Sequence, residues 1–258
     1  MSDFLDVLAR DTKETIASGY YQMKIPEKHP QISLKKAVLA CKQNAVITEI
    51  KAASPSLGTI RSSMNPAKIA QEMQNGGAVA ISVLTEPKHF KGFMRTLSEA
   101  REHVKLPLLM KDIILSPLQV DVGAQTGANA ILLIKALYDR GYGEMELDDM
   151  IAFAHSEGLE VLLETHSQKE FSRAIETEAD LVGINNRDLA TLKIDLETTK
   201  QILDQYKTPN KVVVSESGIK TPSDLKFLRR CGANAFLIGS SIMLTDNILE
   251  KVREFVEA

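Results

Sequence analysis

The stretch GANAFLIG at residues 232–239 decides the fold. A glycine that can end a helix is followed by small residues and then by a short apolar run. The same pattern occurs as GGAVAISVL at 76–84 and as GANAILLI at 127–134. This weak internal repeat indicates that one helix-then-strand unit recurs along the chain.

Eight short apolar runs extend this repeat over most of the sequence. Their starts recur every 22 to 32 residues, which leaves room each time for one strand, one helix and two loops. The runs are continuously apolar, as is typical of parallel strands buried on both faces. They are 46–51, 78–84, 107–111, 130–134, 159–164, 181–185, 211–216 and 235–239.

The segments between the runs carry helix signals. Thr221-Pro222-Ser223-Asp224 predicts a helix start, with a capping hydroxyl, a proline in the first turn and an acid at the positive end of the dipole. Gly232 is expected to stop that helix, and Ser116-Pro117 opens another in the same way. The last predicted helix carries one apolar face, made of Ile248, Leu249, Val252, Phe255 and Val256.

Eight such units with right-handed crossovers predict an α/β fold, a (β/α)8 TIM barrel. An open doubly wound sheet is the alternative, and periodicity alone does not exclude it. With 258 residues, the chain has the length of one barrel, so we expect 1–258 to form a single domain. Residues 1–45 precede the first run and contain two candidate helices, near 3–21 and 33–42, which are separated by the prolines of 25–30.

The composition excludes several classes of protein. A net charge of −3 offers no cationic surface for a nucleic acid, and no apolar run approaches the ~20 residues of a membrane-spanning helix. Two cysteines make no disulfide framework, and the first residues lack the pattern of a secretion signal. We therefore expect a cytoplasmic protein that binds neither nucleic acid nor membrane.

Charged side chains stand where the apolar runs end. A parallel barrel brings the carboxyl ends of its strands to one rim, where the active sites of this fold lie. Bare charges at such buried positions are costly unless they find partners, and converging lysines and glutamates shift each other's pKa as acid–base chemistry requires. The candidates are Glu49, Lys51, Lys111, Glu164, Asn185, Arg187 and Glu216.

Glycine and serine follow the last two runs, as Ser217-Gly218 and Gly239-Ser240-Ser241. Glycines let backbone N–H groups approach an anion, and a short helix after the eighth strand can point its N-terminus at it. The two segments together predict a phosphate site. The loop ASPSLG at 53–58 could add hydroxyl groups to the same rim.

The remaining reactive residues indicate no further site. The five histidines are scattered without ligand spacing, so no metal is expected, and Cys41 and Cys231 are interpreted as packing residues. His166, two residues after Glu164, is the histidine that could face the site. No dinucleotide fingerprint and no Walker loop occur in the sequence.

Five segments together resemble the indole-3-glycerol phosphate synthase family. The resemblance runs in order from about residue 5 to the end and includes an N-terminal helical extension. The segments are EIKAASPSLG (49–58), MKDII (110–114), GINNRDL (183–189), SESGI (215–219) and FLIGSSIM (236–243).

The resemblance implies a reaction of tryptophan biosynthesis. The substrate would be 1-(2-carboxyphenylamino)-1-deoxyribulose 5-phosphate, and the products would be indole-3-glycerol phosphate, carbon dioxide and water. No cofactor and no metal are implied, the partner is this phosphorylated small molecule, and we expect a monomer. The extension would form part of the wall above the anthranilate, at the mouth of the barrel. The alternative is a helix that plugs the bottom of the barrel or packs on its side.

The resemblance also implies roles for the candidates. Lys111 would donate a proton to the ketone oxygen, while Lys51, Glu49 and Glu164 would divide the acid and base roles of the dehydration. Asn185 would hold substrate hydroxyls or orient Glu49, and Glu216 matches a site glutamate whose role is left open. Ser54 and Arg187 would bind the anthranilate carboxylate, and Phe90 would line the anthranilate pocket. The phosphate would bind to the backbone of Ser217, Gly218, Gly239 and Ser240, with Lys51 within reach.

The sequence departs from the family pattern at three positions. Ala52 and Leu57 stand where the family often has lysine and are expected to face away from the ligand. Ile113 stands where an aromatic residue is common, so the anthranilate pocket would be less aromatic.

Two other functions stay open at this point. A class I aldolase would use Lys111 as a Schiff base on a sugar phosphate. A barrel that only binds a phosphorylated metabolite would not need both lysines together with Glu49 and Glu164.

Overall fold

The computed structural model describes residues 3–23, 29–55, 57–61, 64–188, 191–206 and 210–258. Eight parallel strands form a closed barrel in which each strand pairs with the next one along the chain and the last pairs with the first. The predicted TIM barrel is therefore confirmed, and the open sheet is excluded. The barrel strands are β1 (Ala45–Ile50), β4 (Ala80–Leu84), β5 (Leu108–Lys111), β6 (Ala130–Ile134), β7 (Glu160–Thr165), β8 (Leu181–Asn185), β9 (Val212–Glu216) and β10 (Ala235–Ile238). Outside the barrel, β2 (Ala53–Ser54) and β3 (Gly58–Thr59) form a small antiparallel hairpin after β1.

The helices that follow the strands cover the outside of the barrel. The predicted starts are confirmed, since Ser116 and Thr221 each close a capping box at the N-terminus of a helix that begins with proline. Gly232 has a φ of +106° just after the helix that it was expected to stop. The helices are α1 (Phe4–Ala17), α2 (Leu34–Ala40), α3 (Pro66–Asn75), α4 (Met94–His103), α5 (Pro117–Thr126), α6 (Lys135–Asp139), α7 (Leu147–Ser156), α8 (Gln168–Ala174), α9 (Glu197–Gln205), α10 (Pro222–Arg230), α11 (Ser240–Met243) and α12 (Ile248–Val256).

Side chains along each strand point alternately into the barrel and toward the helices, and they form two apolar cores. One core fills the barrel, and the other lies between the strands and the surrounding helices. Because strand side chains alternate, the residue two positions beyond an inward apolar residue also points inward. The inward layer of Ile47, Leu109, Leu162, Val214 and Leu237 is thus followed at the carboxyl ends by Glu49, Lys111, Glu164, Glu216 and Gly239.

The two helices before β1 cover opposite ends of the barrel. Arg140, in the segment after β6, forms ion pairs with Asp3 and Asp6 at the start of α1, and Lys88, in the segment after β4, pairs with Glu14 of α1. Because both segments follow the carboxyl ends of barrel strands, α1 lies at the mouth. On α2, the backbone N–H of Lys35 donates to Glu160 at the start of β7, 2.9 Å away, so α2 lies at the bottom.

The boundaries of these two helices differ from the predicted ones. The first helix ends at Ala17 rather than near residue 21, because Gly19 turns the chain in the left-handed conformation. The second begins at Leu34 after a Ser33 cap and ends at Ala40. Of the predicted break at 25–30, residues 25–28 lie outside the described residues. Within the described ranges, no helix has the length and apolar character needed to cross a membrane.

Candidate active site

The carboxyl ends of the barrel strands open into a cavity of about 410 Å³. Every site residue predicted from the sequence lines this cavity, together with apolar side chains from the strands and from α1. The predicted residues are Glu49, Lys51, Ser54, Phe90, Lys111, Glu164, Asn185, Arg187, Glu216, Ser217, Gly218, Gly239 and Ser240.

Lys111 stands at the centre of the charged floor. Its Nζ lies 3.2 Å from Glu164 Oε2 and 3.6 Å from Glu216 Oε2, and all three side chains are largely buried. Burial lowers the pKa of Lys111, but the charges of Glu164, Glu216 and Glu49 raise it more, so the net shift is upward. Lys111 is therefore an ammonium group at neutral pH, with its protons directed into the cavity floor.

Glu164 and Glu216 share this ammonium group but differ in charge. Burial would raise the pKa of Glu164, yet Lys111, His166 and Asn185 hold it below its ordinary value, so Glu164 is ionised. Burial raises the pKa of Glu216 to about 8, and the neighbouring Glu164 adds to that rise. Neither carboxyl oxygen of Glu216 has a hydrogen-bond partner. The absence of a side chain at Gly183 on β8 leaves room for the Glu216 carboxyl group, since a Cβ there would overlap Glu216 Oε1.

A second ion pair lies on the β1 side of the cavity. Lys51 Nζ is 2.6 Å from Glu49 Oε1, and only 3% of the Glu49 side chain is exposed. Gly239 lies against this pair: a Cβ at this position would overlap Glu49 Oε1 and come within 3.0 Å of Lys51 Nζ. The glycine therefore lets the ion pair approach the backbone after β10.

Asn185 and Arg187 come from the end of β8. Asn185 Oδ1 accepts the backbone N–H of Arg187 at 3.0 Å, which fixes the turn after the strand. The Arg187 guanidinium donates to the carbonyl of Leu192 at 3.3 Å, while the side chain lines the cavity. Across the mouth, Ser54 belongs to the β2–β3 hairpin, and its Oγ accepts the N–H of Leu57 at 3.2 Å. One cationic and one hydroxyl group thus flank the opening.

The segments predicted to bind phosphate face the cavity side by side. Ser217 and Gly218 are both left-handed, with φ of +68° and +87°, directly after β9. A serine rarely adopts this conformation, and such strain is concentrated at functional sites. Gly239 precedes the single turn of α11, which begins at Ser240. Lys51 is the cation nearest to Gly239 among its close contacts.

Sequence reasoning missed two acidic residues of the cavity. Glu86, two residues after β4, is buried and accepts the backbone N–H groups of Lys88, His89 and Phe90, which shapes the loop that carries Phe90. Asp112 follows Lys111, accepts the Tyr21 hydroxyl at 3.0 Å, and has a pKa that burial raises to about 7. Their positions just after the ends of β4 and β5 could have identified them as residues of the rim.

Apolar walls complete the cavity. Phe4 and Leu8 of α1 line it from above, and Leu132 and Leu237 line it from below. Ile113, where the family often has an aromatic residue, is also part of the lining. Of the other two departures, Leu57 lines the cavity although it was expected to face away, because the hairpin turns it over the opening, whereas Ala52 does not line it.

The histidines and cysteines lie elsewhere. His166 does not line the cavity; its Nε2 lies behind Glu164, 3.2 Å from Glu164 Oε1. Cys41 and Cys231 are free thiols at helix ends. In the described part of the chain, no group of three His, Cys, Asp or Glu side chains is arranged to hold a metal ion.

Comparisons with known proteins find one family. The family model described as indole-3-glycerol phosphate synthase matches residues 6–255. The chain is 47% identical to the indole-3-glycerol phosphate synthase of Methanocaldococcus jannaschii over 89% of this chain and 85% of that protein. It is 40% identical to that of Acetivibrio thermocellus over 96% and 94%.

Two solved structures share the fold at low sequence identity. Thiamine phosphate pyrophosphorylase from Pyrococcus furiosus has a TM-score of 0.62 at 16% identity and covers 86% of this chain, with 96% of its own chain aligned. N-acetylmannosamine-6-phosphate 2-epimerase from Clostridium perfringens has a TM-score of 0.62 at 18% identity, over 83% and 93%. At these identities the likeness concerns the barrel alone.

Proposed function

Since the chain belongs to the indole-3-glycerol phosphate synthase family, we propose that the cavity at the carboxyl ends of its strands is the active site of that reaction. The enzyme converts 1-(2-carboxyphenylamino)-1-deoxyribulose 5-phosphate into indole-3-glycerol phosphate, carbon dioxide and water, a carboxy-lyase step of tryptophan biosynthesis. The proposal rests mainly on one observation: Lys111 lies between Glu164 and Glu216 on the floor of an apolar cavity.

Ring closure is assigned to Lys111. The anthranilate ring carbon that bears the carboxylate attacks the ketone carbon, and the ketone oxygen gains negative charge as the new bond forms. The Lys111 ammonium group donates a proton to that oxygen, and its raised pKa keeps it charged for this purpose. Carbon dioxide then leaves, and the electron pair of the broken bond returns to the ring.

Dehydration needs a base and an acid on the same substrate. The ionised Glu164 and the Glu49–Lys51 pair supply both kinds of group, on opposite sides of the floor. The hydroxyl group made from the ketone leaves as water once it is protonated, and a base removes the proton whose loss completes the double bond. We assign these two transfers to the set of Glu49, Lys51 and Glu164 rather than to single residues.

Substrate orientation is assigned to the rim. Arg187 and Ser54 bind the anthranilate carboxylate, Phe90 lies along its ring, and Asn185 binds a sugar hydroxyl. Holding the ring carbon close to the ketone supplies much of the rate in a ring closure. Glu216 is uncharged at neutral pH and offers a hydrogen-bond donor beside Lys111. Phe4 and Leu8 cover the pocket and help to exclude water.

The phosphate is assigned to the backbone of Ser217, Gly218, Gly239 and Ser240, with the Lys51 ammonium group beside it. This assignment is supported by the left-handed turn after β9 and by the close approach of Lys51 to Gly239. A monomeric state and a cytoplasmic location remain predictions from the sequence.

Turnover of the carboxyphenylamino substrate tests the proposal directly. Indole fluorescence should rise with time, and the chain contains no tryptophan to obscure it. Borohydride should trap no adduct on Lys111 with a sugar phosphate, whereas an aldolase would be trapped as a reduced Schiff base. Tight binding without any fluorescence increase would instead indicate a barrel that only binds its ligand.

The phosphate assignment has its own test in Ser240→Asp. A carboxylate there repels the phosphate, so KM for the substrate should rise by about tenfold or more, while KM for the dephosphorylated substrate should change little. Ser241→Ala is the control, because the Ser241 hydroxyl donates to the carbonyl of Ile219 at 2.9 Å. An equal rise of KM for both substrates in Ser240→Asp would place the phosphate elsewhere.

A further inference from the structure

His166 lies just outside the cavity, between two carboxylates. Its Nε2 is 3.2 Å from Glu164 Oε1, and its Nδ1 is 3.6 Å from Glu170 Oε2. Both ring nitrogens are shielded from solvent, and neither makes a hydrogen bond of good geometry. Each ring nitrogen therefore faces one carboxylate within 4 Å.

This arrangement determines the charge of the ring. A neutral imidazole carries one N–H and one lone pair, so it would direct the lone pair at one of the two carboxylates. Water cannot relieve that repulsion, because the nitrogens are buried. The imidazolium ion carries N–H groups on both nitrogens and suits both neighbours. Burial lowers the pKa of His166, but Glu164 and Glu170 raise it by more, and the resulting pKa is about 9.

Glu170 is fixed in place by its own element. Its Oε2 accepts the backbone N–H of His166 at 2.9 Å, and its Oε1 accepts the Ser167 hydroxyl at 3.1 Å, at the first turn of α8. Glu170 therefore cannot follow a moving imidazole without losing these bonds. The ring is held from α8 on one side and contacts Glu164 of β7 on the other.

Inside the cavity, Glu164 shares its cation, Lys111 of β5, with other carboxyl groups. Lys111 also faces Glu216 of β9, which is uncharged at neutral pH, and Glu49 of β1, which pairs with Lys51. On its outer side Glu164 contacts the imidazole of His166, and a positive charge there adds to that of Lys111.

We propose that His166 is a positioning residue: as an imidazolium ion held by Glu170, it fixes the Glu164 carboxylate toward Lys111 and keeps it ionised. The inference rests on the proposed function in so far as Glu164 must be ionised for proton transfer. His166 itself does not touch the substrate.

The charge of His166 can be measured without any activity. Nitrogen-15 NMR of the folded protein distinguishes imidazolium from neutral imidazole, and the signal lost in His166→Gln identifies the residue. At pH 7.5 both ring nitrogens of His166 should show imidazolium shifts, and Glu170→Gln should lower the titration midpoint by about one unit or more. A neutral ring at pH 7.5 in the wild type would overturn the proposal, whatever the function of the cavity.

The effect on Glu164 is measured by the pH profile of kcat. Loss of the cation in His166→Gln should move the acid limb upward by about one unit or more, and Glu170→Gln should move it in the same direction by less. A uniform fall of kcat at every pH, with the limb unmoved, would make His166 merely structural and would refute the proposal.

His155→Gln is the matched control for this pair of variants. His155 Nε2 lies 2.9 Å from Asp180 near the opposite end of β7, where Asp180 accepts the N–H of Val161. Its replacement should leave both limbs of the profile in place. A fully active Glu164→Gln would contradict the proposed function of Glu164, while the NMR result would still decide the charge of His166.

Discussion

The two ends of β7 carry the same residue type in different surroundings. Glu160, at the bottom, accepts the Ser33 hydroxyl and the backbone N–H of Lys35. Glu164, at the mouth and on the same face of the strand, contacts the side chains of Lys111 and His166. The bottom carboxylate joins two segments of the chain, and the mouth carboxylate belongs to a group of mutually dependent charges.

The contrast extends around the barrel. At the bottom, Asn129 accepts the N–H of Leu108 and donates to the carbonyl of Pro30, and Asn44 donates to carbonyls of the C-terminal segment. These are backbone partners, which fix the closure of the barrel. At the mouth, Glu216 is buried without a hydrogen bond, which costs stability and leaves its polar atoms available to a ligand. The difference teaches that these bottom amides are satisfied by the backbone, whereas Lys111, Glu164 and Glu216 at the mouth are left to one another and, in the proposed function, to the substrate.

Lys111→Ala should give the largest effect. Loss of the proposed proton donor should lower kcat by roughly 10²–10⁴-fold, with a much smaller change in substrate affinity. Single-turnover rates are the proper measurement, since slow product release can hide a loss in the chemical step. A variant that keeps more than about half of the wild-type rate would disprove the role of Lys111.

Lys135→Ala is the control for Lys111. Lys135 is also buried at the carboxyl end of a barrel strand, but it pairs with Asp139 of α6 and does not line the cavity. Its replacement should change kcat by less than about twofold and act on stability instead. An equal loss of activity in both variants would mean that buried lysines at the mouth act through folding.

Leu34→Ala tests the bottom of the barrel. Leu34 of α2 is fully buried in the inner core, so its truncation should lower the free energy of unfolding by about 2–5 kcal/mol. For a chain of this size, the melting temperature should fall by roughly 2–4 °C for each kcal/mol. Urea unfolding and calorimetry measure the change, and KM and kcat at 25 °C should match the wild type.

Phe4→Ser is its counterpart at the mouth. Phe4 lines the cavity and packs edge-on against His89, with ring centroids 5.6 Å apart. Opening this wall should raise KM several-fold with a smaller loss of stability than Leu34→Ala. If Phe4→Ser affects only stability and Leu34→Ala affects only KM, the division between the two ends is wrong.

Much of this division could be predicted from the sequence, because it follows from strand periodicity. Once the apolar runs were assigned to barrel strands, Glu49, Lys111, Glu164 and Glu216 had to meet at one rim. Their pairing could not be predicted, because distances such as that from Lys111 to Glu164 depend on the stagger of neighbouring strands. The partnership of His166 with Glu170 also depends on where α8 begins. The position of α1 at the mouth was implied by the family resemblance, whereas α2 is a short helix whose contact on β7 lies far away in the sequence.

Glu216→Gln should give the sharpest test of the difference between the ends, because its effect on stability depends on pH. Burial raises the pKa of Glu216 to about 8 in the folded chain, against about 4.3 when the chain is unfolded. Between these values the folded state binds more protons than the unfolded state, so this group makes the protein less stable as the pH rises. Glutamine cannot ionise and removes that contribution.

The stability gap between Glu216→Gln and the wild type should therefore change with pH in favour of the variant. It should grow from about pH 5 to about pH 8, by about 1 kcal/mol or more, and stay constant above that. Urea unfolding at several pH values gives the gap directly, and subtraction removes the contribution of titrating groups that lie far from Glu216, which both proteins share. Glu160→Gln should instead be less stable than the wild type at neutral pH, by about 1 kcal/mol in the free energy of unfolding, because it weakens the charge-assisted hydrogen bonds from Ser33 and Lys35. A gap that does not widen for Glu216, or a gain of stability for Glu160, would show that the two ends hold their carboxylates in the same way.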